Sequence, residues 1–311
     1  MSHIIRILLG ILLFISLPSA ALLSIGALII EPAATGANFL LTVVHLTIVV
    51  FLLRISPLWP KSAHILWAPV CLAWGAIGSI GISLLVAMPT SELVLKLGLE
   101  DFVASFAGGY PEEVTKAIGV LLILFSFRCL NRPWHGLATG MLVGTGFDVH
   151  ENFGYAANGA LMDPTSDVIG VVSLWAIRTV FGPGLHLMFA GFTGFGIGLA
   201  LFTLGRSLVW RLSVATFWFT IAFITHFTWN YIVAQSITGT ITTSVVAYST
   251  LLYVIIRCWL RAKKKPGYLT VDLNDPKSFE PMPTSPQNAL PPPPVKAQTQ
   301  ETLIEAPARS V

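Results

Sequence analysis

The stretch "GGYPEEVTKAIGVLLILFSF", residues 108–127, decides the fold class and raises the functional question. From Ala117 onward it is apolar enough to lie in lipid, yet Glu112 and Glu113 stand side by side at its mouth. Its surroundings are of the same kind. Of the 311 residues, 54% are hydrophobic and 11% charged, far from the roughly 25% charge of a soluble domain. Runs of about 20 apolar residues, the length a spanning helix needs, fill most of the chain from Ile4 to Leu260. The sequence therefore predicts an all-α, polytopic membrane helix bundle. With its charge concentrated in short loops, the formal net charge of +3 points to no nucleic-acid partner.

Eight spans are expected, at about 4–30, 37–55, 65–88, 112–128, 134–153, 184–205, 211–232 and 240–260. The stretch "VIGVVSLWAIRTVF", 168–181, is too short to cross alone and is cut from the next span by Gly182-Pro183-Gly184, so it reads as a half-helix or an interfacial segment. Ser19 to Ala21 imitate a signal-peptide cleavage site, but the apolar run continues to Ile30, so the first segment reads as an uncleaved span. Between spans three and four, "SELVLKLGLEDFVASFAGGYP" suits a surface-lying lid or a packed loop. Residues 1–265 form the transmembrane domain, and the Pro-rich remainder, 266–311, reads as a disordered cytoplasmic tail. Cys71, Cys129 and Cys258 have no metal-site or disulfide spacing and read as packing residues.

Charge sets the orientation. With the N-terminus inside, one side receives twelve basic and no acidic residues: Arg6, Arg54, Lys61, Arg128, Arg132, Arg206, Arg211, Arg257, Arg261 and Lys263 to Lys265. The other side takes Lys96, Lys116, Arg178 and all ten acidic residues that precede the tail. Both termini are then cytoplasmic.

Ionisable residues inside a bilayer are costly and mark functional sites by default. Glu112 and Glu113 open span four, Glu151 and Asn152 close span five, His186 opens span six, and His226 and Asn230 lie near the end of span seven. Each can be counted from the basic end of its own span: Glu112 is 16 residues from Arg128, Glu151 19 from Arg132, His186 20 from Arg206 and His226 15 from Arg211. At about 1.5 Å per residue these heights are roughly 22 to 30 Å, just beneath the outer surface of a ~30 Å core. One shared depth argues for one site. Residues four apart share a helix face, which pairs His226 with Asn230 and Glu112 with Lys116. Glycines at 136, 140 and 144, and at 194 and 198, permit close helix approach. Asp148 could share the face of Glu151, whereas His150 is turned about 100° from it and reads as structural. Taken singly, the features have ordinary explanations. Pro followed by two Glu is good helix-start chemistry, and a lone His or Asn in an apolar helix is usually a packing residue.

At these residues the sequence resembles the PrsW-type intramembrane proteases, a group related to the CAAX-processing proteases. "EEVTK" at 112–116 is similar to the EExxK signature, "GTGFDVHEN" at 144–152 to the glycine-rich segment ending in Glu-Asn, "RTVFGPGLH" at 178–186 to the Arg-Pro-His segment, and "HFTWN" at 226–230 to HxxxN. The likeness covers about residues 92–235, and neither Asp148 nor His150 belongs to its pattern. It implies hydrolysis of a peptide bond in a membrane-anchored protein near the extracytoplasmic face of a bacterial cytoplasmic membrane, with a signalling role in the namesake case. Catalytic residues are then Glu112, Glu113, Glu151, His186, His226 and Asn230, supported by Lys116, Asn152 and Arg178. Glu113 or Glu112 would be the base, the histidines and Asn230 would bind the oxyanion and move protons, and Glu151 would orient a histidine or the water, while Arg178 would pair with a site carboxylate or snorkel to the outer interface. Likeness to the CAAX group favours a hydrolase that requires no cofactor. Two His with a Glu is also a competent zinc set, in which case Glu113, His186 and His226 would be ligands. The competing classes are a carrier, which broken helices and buried carboxylates also suit, and an inactive homologue that only binds membrane proteins.

Overall fold

The computed structural model describes residues 2–263 except Glu31, Ser62, Val233 and Ala234, so the expected C-terminal tail lies outside the described residues. These form ten α-helices and no strand: α1 (Ser2–Ile30), α2 (Thr35–Ile55), α3 (Trp67–Ala73), α4 (Ile80–Lys96), α5 (Tyr110–Ser126), α6 (Pro133–Met162), α7 (Asp167–Phe181), α8 (Leu185–Phe202), α9 (Leu208–Ile232) and α10 (Ile237–Lys263). Six segments are long and apolar enough to cross a membrane: α1, α2, the run from α3 to α4, α8, α9 and α10. The eight expected spans are thus an approximate count. Of the two remaining, α5 has only 17 residues and carries Glu112, Glu113 and Lys116, while α6 is diluted by glycines and by its own polar residues. Large apolar side chains such as Phe14, Phe51, Val209 and Val246 stand exposed on the outer helices, which in lipid is the satisfied state.

The axis of the bundle is α6, buried almost without interruption from Pro133 to Val149. Absent side chains let its neighbours close in. A Cβ at Gly140 would stand 2.0 Å from the Ala190 carbonyl oxygen of α8, and one at Gly136 2.2 Å from that of Gly194. On the opposite side of α6, a Cβ at Gly75 would stand 1.9 Å from the Val143 carbonyl oxygen. Gly75 lies in a π-helical turn, Trp74–Ser79, that joins α3 to α4. The Trp74 indole N–H from that turn donates to the Thr115 carbonyl of α5 at 3.1 Å.

Two connections take one of the alternatives that the sequence offered. Helix α4 runs on to Lys96, and the segment after it is a packed loop instead of a free surface element. Phe102 stacks on Tyr231 of α9 at 4.8 Å between ring centroids, and the Ser105 hydroxyl donates to the Phe227 carbonyl at 2.8 Å. The stretch expected as a half-helix is α7, 15 residues and therefore about 22 Å long, short of the ~30 Å core. It is anchored sideways, since the Trp175 indole N–H donates to Asn38 of α2 at 2.9 Å, and Asn38 in turn donates to the Phe153 carbonyl of α6 at 2.9 Å. The turn between α6 and α7 is closed by Asp163, whose Oδ1 accepts from the Thr165 hydroxyl and N–H and from the Ser166 N–H. Those bonds, the hydroxyl's first, hold its carboxyl below the usual range.

The basic ends of the helices meet at one end of the molecule. Arg6 near the start of α1 donates to the Ser126 carbonyl that ends α5, at 3.0 Å, and Arg211 donates to the Ala200 and Thr203 carbonyls at the end of α8. Cations at helix C-termini complement the dipole and satisfy orphan carbonyls. At the same ends Arg54 lies over Trp59, Arg206 over Trp210 and Lys263 over Trp259, pairs suited to an aromatic belt.

Candidate active site

Four helix segments deliver the polar residues to one place. Helix α5 continues from a π-helical turn, Ser105–Gly109, and its first turn carries Glu112 and Glu113, with Lys116 one turn further on. His186 falls in the first turn of α8 because Gly184, at φ +67°, adopts the left-handed backbone that ends the break after α7. His226 sits on the inward face of α9, and Glu151 lies near the middle of α6. The separate positions in sequence become one connected cluster.

Its centre is Lys116, fully buried, with Nζ 2.9 Å from Glu113 Oε1, 3.4 Å from Glu112 Oε2 and 2.7 Å from His186 Nδ1. The ammonium also lies 4.0 Å from the Phe147 ring centroid, a favourable cation–aromatic contact. A buried cation with no anion would be prohibitively costly, so the paired glutamates are what allow it to exist. Around it, each histidine is held from behind by a carboxylate. His226 Nδ1 lies 2.8 Å from Glu113 Oε1, and His186 Nε2 lies 3.1 Å from Glu151 Oε2. Glu151 is itself gripped by Arg178 of α7 at 2.5 Å, and Arg178 Nε donates to Asn152. Phe189 stacks on the His226 ring at 4.6 Å between centroids, fixing its plane.

Beside this cluster lies a cavity of about 540 Å³, reached by Glu112, Glu151, Arg178, His186, His226 and Asn230. Glu113 and Lys116 do not line it. Asn230 lines it while donating to the Ala104 carbonyl at 3.1 Å, and Asn152 is reached only through Arg178. The packed loop after α4 supplies Ala104, Ala107 and Gly108 as one wall.

The sequence reading left one contributor undefined. Asp148, one turn before Glu151, accepts from the backbone N–H groups of His186 at 3.2 Å and Leu187 at 3.1 Å. It caps α8 from a neighbouring helix and fixes the height of His186. Its three-residue spacing from Glu151 was the available signal, but which helix it would meet has no trace in sequence. The other histidines stand apart: His150 lies 3.4 Å from the Ser24 hydroxyl of α1, His135 Nδ1 accepts from the Asn131 N–H, and His45 packs on Trp175. The three cysteines are free thiols.

The residues fit a metal ion. One donor atom each from Glu112, His186 and His226 lie within 4.8 Å of one another. Glu112 Oε2 is 3.7 Å from His186 Nδ1 and 3.8 Å from His226 Nε2. Donors about 2.0–2.1 Å from a tetrahedral zinc stand roughly 3.4 Å apart, so the set must contract, and the Lys116 ammonium, 2.7 Å from His186 Nδ1 and 3.4 Å from Glu112 Oε2, must swing off these donors to admit a metal. Each histidine turns one nitrogen to the cluster and the other to a glutamate, the arrangement that orients metal-binding imidazoles. A further sign is Glu113 Oε2, buried with no hydrogen-bond partner, an orphan acceptor beside the donors. The geometry thus groups Glu112 with the histidines, where the sequence reading named Glu113.

A polytopic helical protein with glutamate-backed histidines facing a cavity has the make-up of a membrane-embedded hydrolase. Residues 63–259, more than half of the chain, match the family described as PrsW family intramembrane metalloprotease. The chain belongs to that family. Membership supports an intramembrane protease acting on membrane proteins, and the family's description as metalloproteases supports a metal over the expectation that no cofactor is required. No curated protein and no solved structure matches the chain.

Proposed function

We propose that the protein is an endopeptidase that hydrolyses a peptide bond of membrane-anchored proteins close to the extracytoplasmic face, with Glu112, His186 and His226 as the metal-holding set. The observation that carries this reading is the convergence of those three side chains on a cavity of about 540 Å³, with a carboxylate behind each histidine. The extracytoplasmic location rests on the charge asymmetry of the loops and on the meeting of the basic helix ends away from the site. A metal held there would supply Lewis-acid polarisation of the carbonyl and of the attacking water.

The chain's own groups do the rest. Glu113 and Glu151 hold His226 and His186 in fixed orientation. Glu151, which unlike Glu113 reaches the cavity, is placed to take a proton from water and to return it to the leaving nitrogen as the C–N bond breaks. Arg178 and Asn230 line the same wall and offer N–H groups toward the carbonyl oxygen as it gains charge. Lys116 neutralises the two adjacent carboxylates of its own helix, Glu112 and Glu113.

The test compares the membrane proteome of cells carrying the intact protein with that of cells carrying Glu112→Gln, alongside metal analysis of both purified proteins. A substrate fragment and about one bound metal per chain are expected for the intact protein alone. If the fragment pattern is the same in both, the protease reading falls.

A further inference from the structure

A second cavity, of about 410 Å³, adjoins the first. Its walls are chiefly Leu22 and Leu23 of α1, Ile80 and Leu84 of α4, and Phe147 and Phe153 of α6. The two cavities share Ala87, Ala107, Glu112, Glu151 and Tyr155, so the apolar chamber opens at the carboxylates of the site. Two of its polar groups already have partners: His150 faces the Ser24 hydroxyl at 3.4 Å, and the Ser83 hydroxyl pairs with that of Thr115 at 3.0 Å. Apart from Asn158 and the groups at the shared mouth, what remains is apolar surface.

We infer that this chamber is the side-chain subsite of the active site, receiving the large aliphatic or aromatic side chain of the substrate residue next to the scissile bond. The inference rests on the hydrolytic reading of the neighbouring cavity. Size supports it. A 30 Å length of helix about 10 Å across displaces over ~2,000 Å³, so the chamber is too small for a substrate helix. It lies instead at the lower end of the ~300–1,000 Å³ range of small-ligand pockets, which suits one bulky side chain. Continuity supports it too, because a side chain placed there leaves its own backbone beside Glu112 and Glu151. The wall formed by α1 lies outside the family match, which begins at residue 63, so this selectivity would belong to the chain's own N-terminal helix.

Two glycines make the idea testable. Gly26 of α1 and Gly154 of α6 line the chamber, and a Cβ built on either meets nothing within 4 Å. A larger residue can therefore start from either backbone position without a clash at its Cβ and take up space in the chamber. The full chain, purified into lipid nanodiscs, would be given a synthetic library of single-span peptides with randomised juxtamembrane residues, and the cleavage sites read by mass spectrometry. The intact protein should cut beside Leu, Phe or Met at least about tenfold more often than beside Ala, Gly or Ser, within the range apolar pockets achieve. Gly26→Leu and Gly154→Leu should reverse that preference toward small residues, whereas Leu84→Ala should move it toward Phe and Trp. Opposite shifts in the two kinds of variant cannot arise from partial misfolding, and the thermal midpoint of each variant is measured beside its specificity. Cutting by the intact protein with an unchanged preference in all three variants would overturn the subsite and make the chamber a lipid-filled space. Absence of any cleavage that Glu112→Gln abolishes would instead overturn the protease reading itself.

Discussion

Glu112 and Glu113 are neighbours in sequence with different work, and burial separates them. Glu113 is fully enclosed, bonded to Lys116 and His226, while Glu112 reaches both cavities. Glu→Gln keeps the shape and removes the charge, so the two substitutions should diverge. Glu112→Gln is expected to abolish cleavage and metal binding with a thermal midpoint close to that of the intact protein. Glu113→Gln should weaken metal affinity by about 10–100-fold, as loss of a partner behind a liganding histidine does. It should also lower stability, because it takes one anion from a fully buried ammonium. Metal titration and thermal unfolding of both variants in the same detergent measure this, and identical behaviour of the two would remove the division of roles. Lys116→Met is predicted to be the least stable of the set. It leaves the fully buried Glu113 carboxylate without its cation at 2.9 Å, and breaking such a buried pair costs about 3–5 kcal/mol. Adjacent identical letters were legible as a pair in sequence, but which one faces solvent depends on where α8 and α9 pack.

Helix contact is the next level, and glycine sets its distances. A Cβ at Gly144 would stand 2.0 Å from the carbonyl oxygen of His186 itself, so Gly144→Ala must push the start of α8 away from α6. That movement pulls the His186 backbone from Asp148 and its ring from Glu151. Activity should therefore fall by more than tenfold even where the protein still reaches the membrane. Gly10→Ala, in the interior of α1 with open space at its Cβ and away from both cavities, serves as the control and should gain up to about 1 kcal/mol of stability from helix propensity. The cap makes a parallel case. Asp148→Ala should cost about 0.5–2 kcal/mol and reduce turnover, while Asp148→Asn, which keeps an acceptor for one of the two N–H groups, should restore part of both. Equal loss in the Ala and Asn variants would mean that the charge of Asp148, and not its cap, is what matters. The glycine spacing on α6 and α8 was readable as close packing, and so were the i, i+4 pairs Glu112–Lys116 and His226–Asn230. The helix ends were not: α6 runs about nine residues past its expected end, where Gly159 packs on Gly170 of α7, and α4 runs about eight past its own. Sequence hydropathy registers lipid, and the α6 extension is sustained by protein.

Across the whole molecule, counting residues from the basic helix ends placed Glu112, Glu151, His186 and His226 at one depth, and the structure joins the four through hydrogen bonds and ion pairs. What depth could not supply was the lateral arrangement, which requires knowing that α5 and α8 pack on α6 and that α9 packs on α5 and α8. Nor does the arrangement reveal which way the bundle faces, since a helix bundle inverted in the membrane has the same contacts. The loop charges decide that, and they yield the last prediction. A reporter fused after Lys263 should read cytoplasmic, and one inserted at Asp163, in the exposed turn between α6 and α7, should read extracytoplasmic. A peptide anchored by a single span should accordingly be cut only when its susceptible sequence lies on the Asp163 side, and the same sequence moved to the Lys263 side should survive. Reversed reporter signals together with cutting on the Lys263 side would invert the topology while leaving the catalytic cluster intact. Cutting on both sides would show that the cavity is not confined to one face, and the link drawn between loop charge, depth and substrate position would then be wrong.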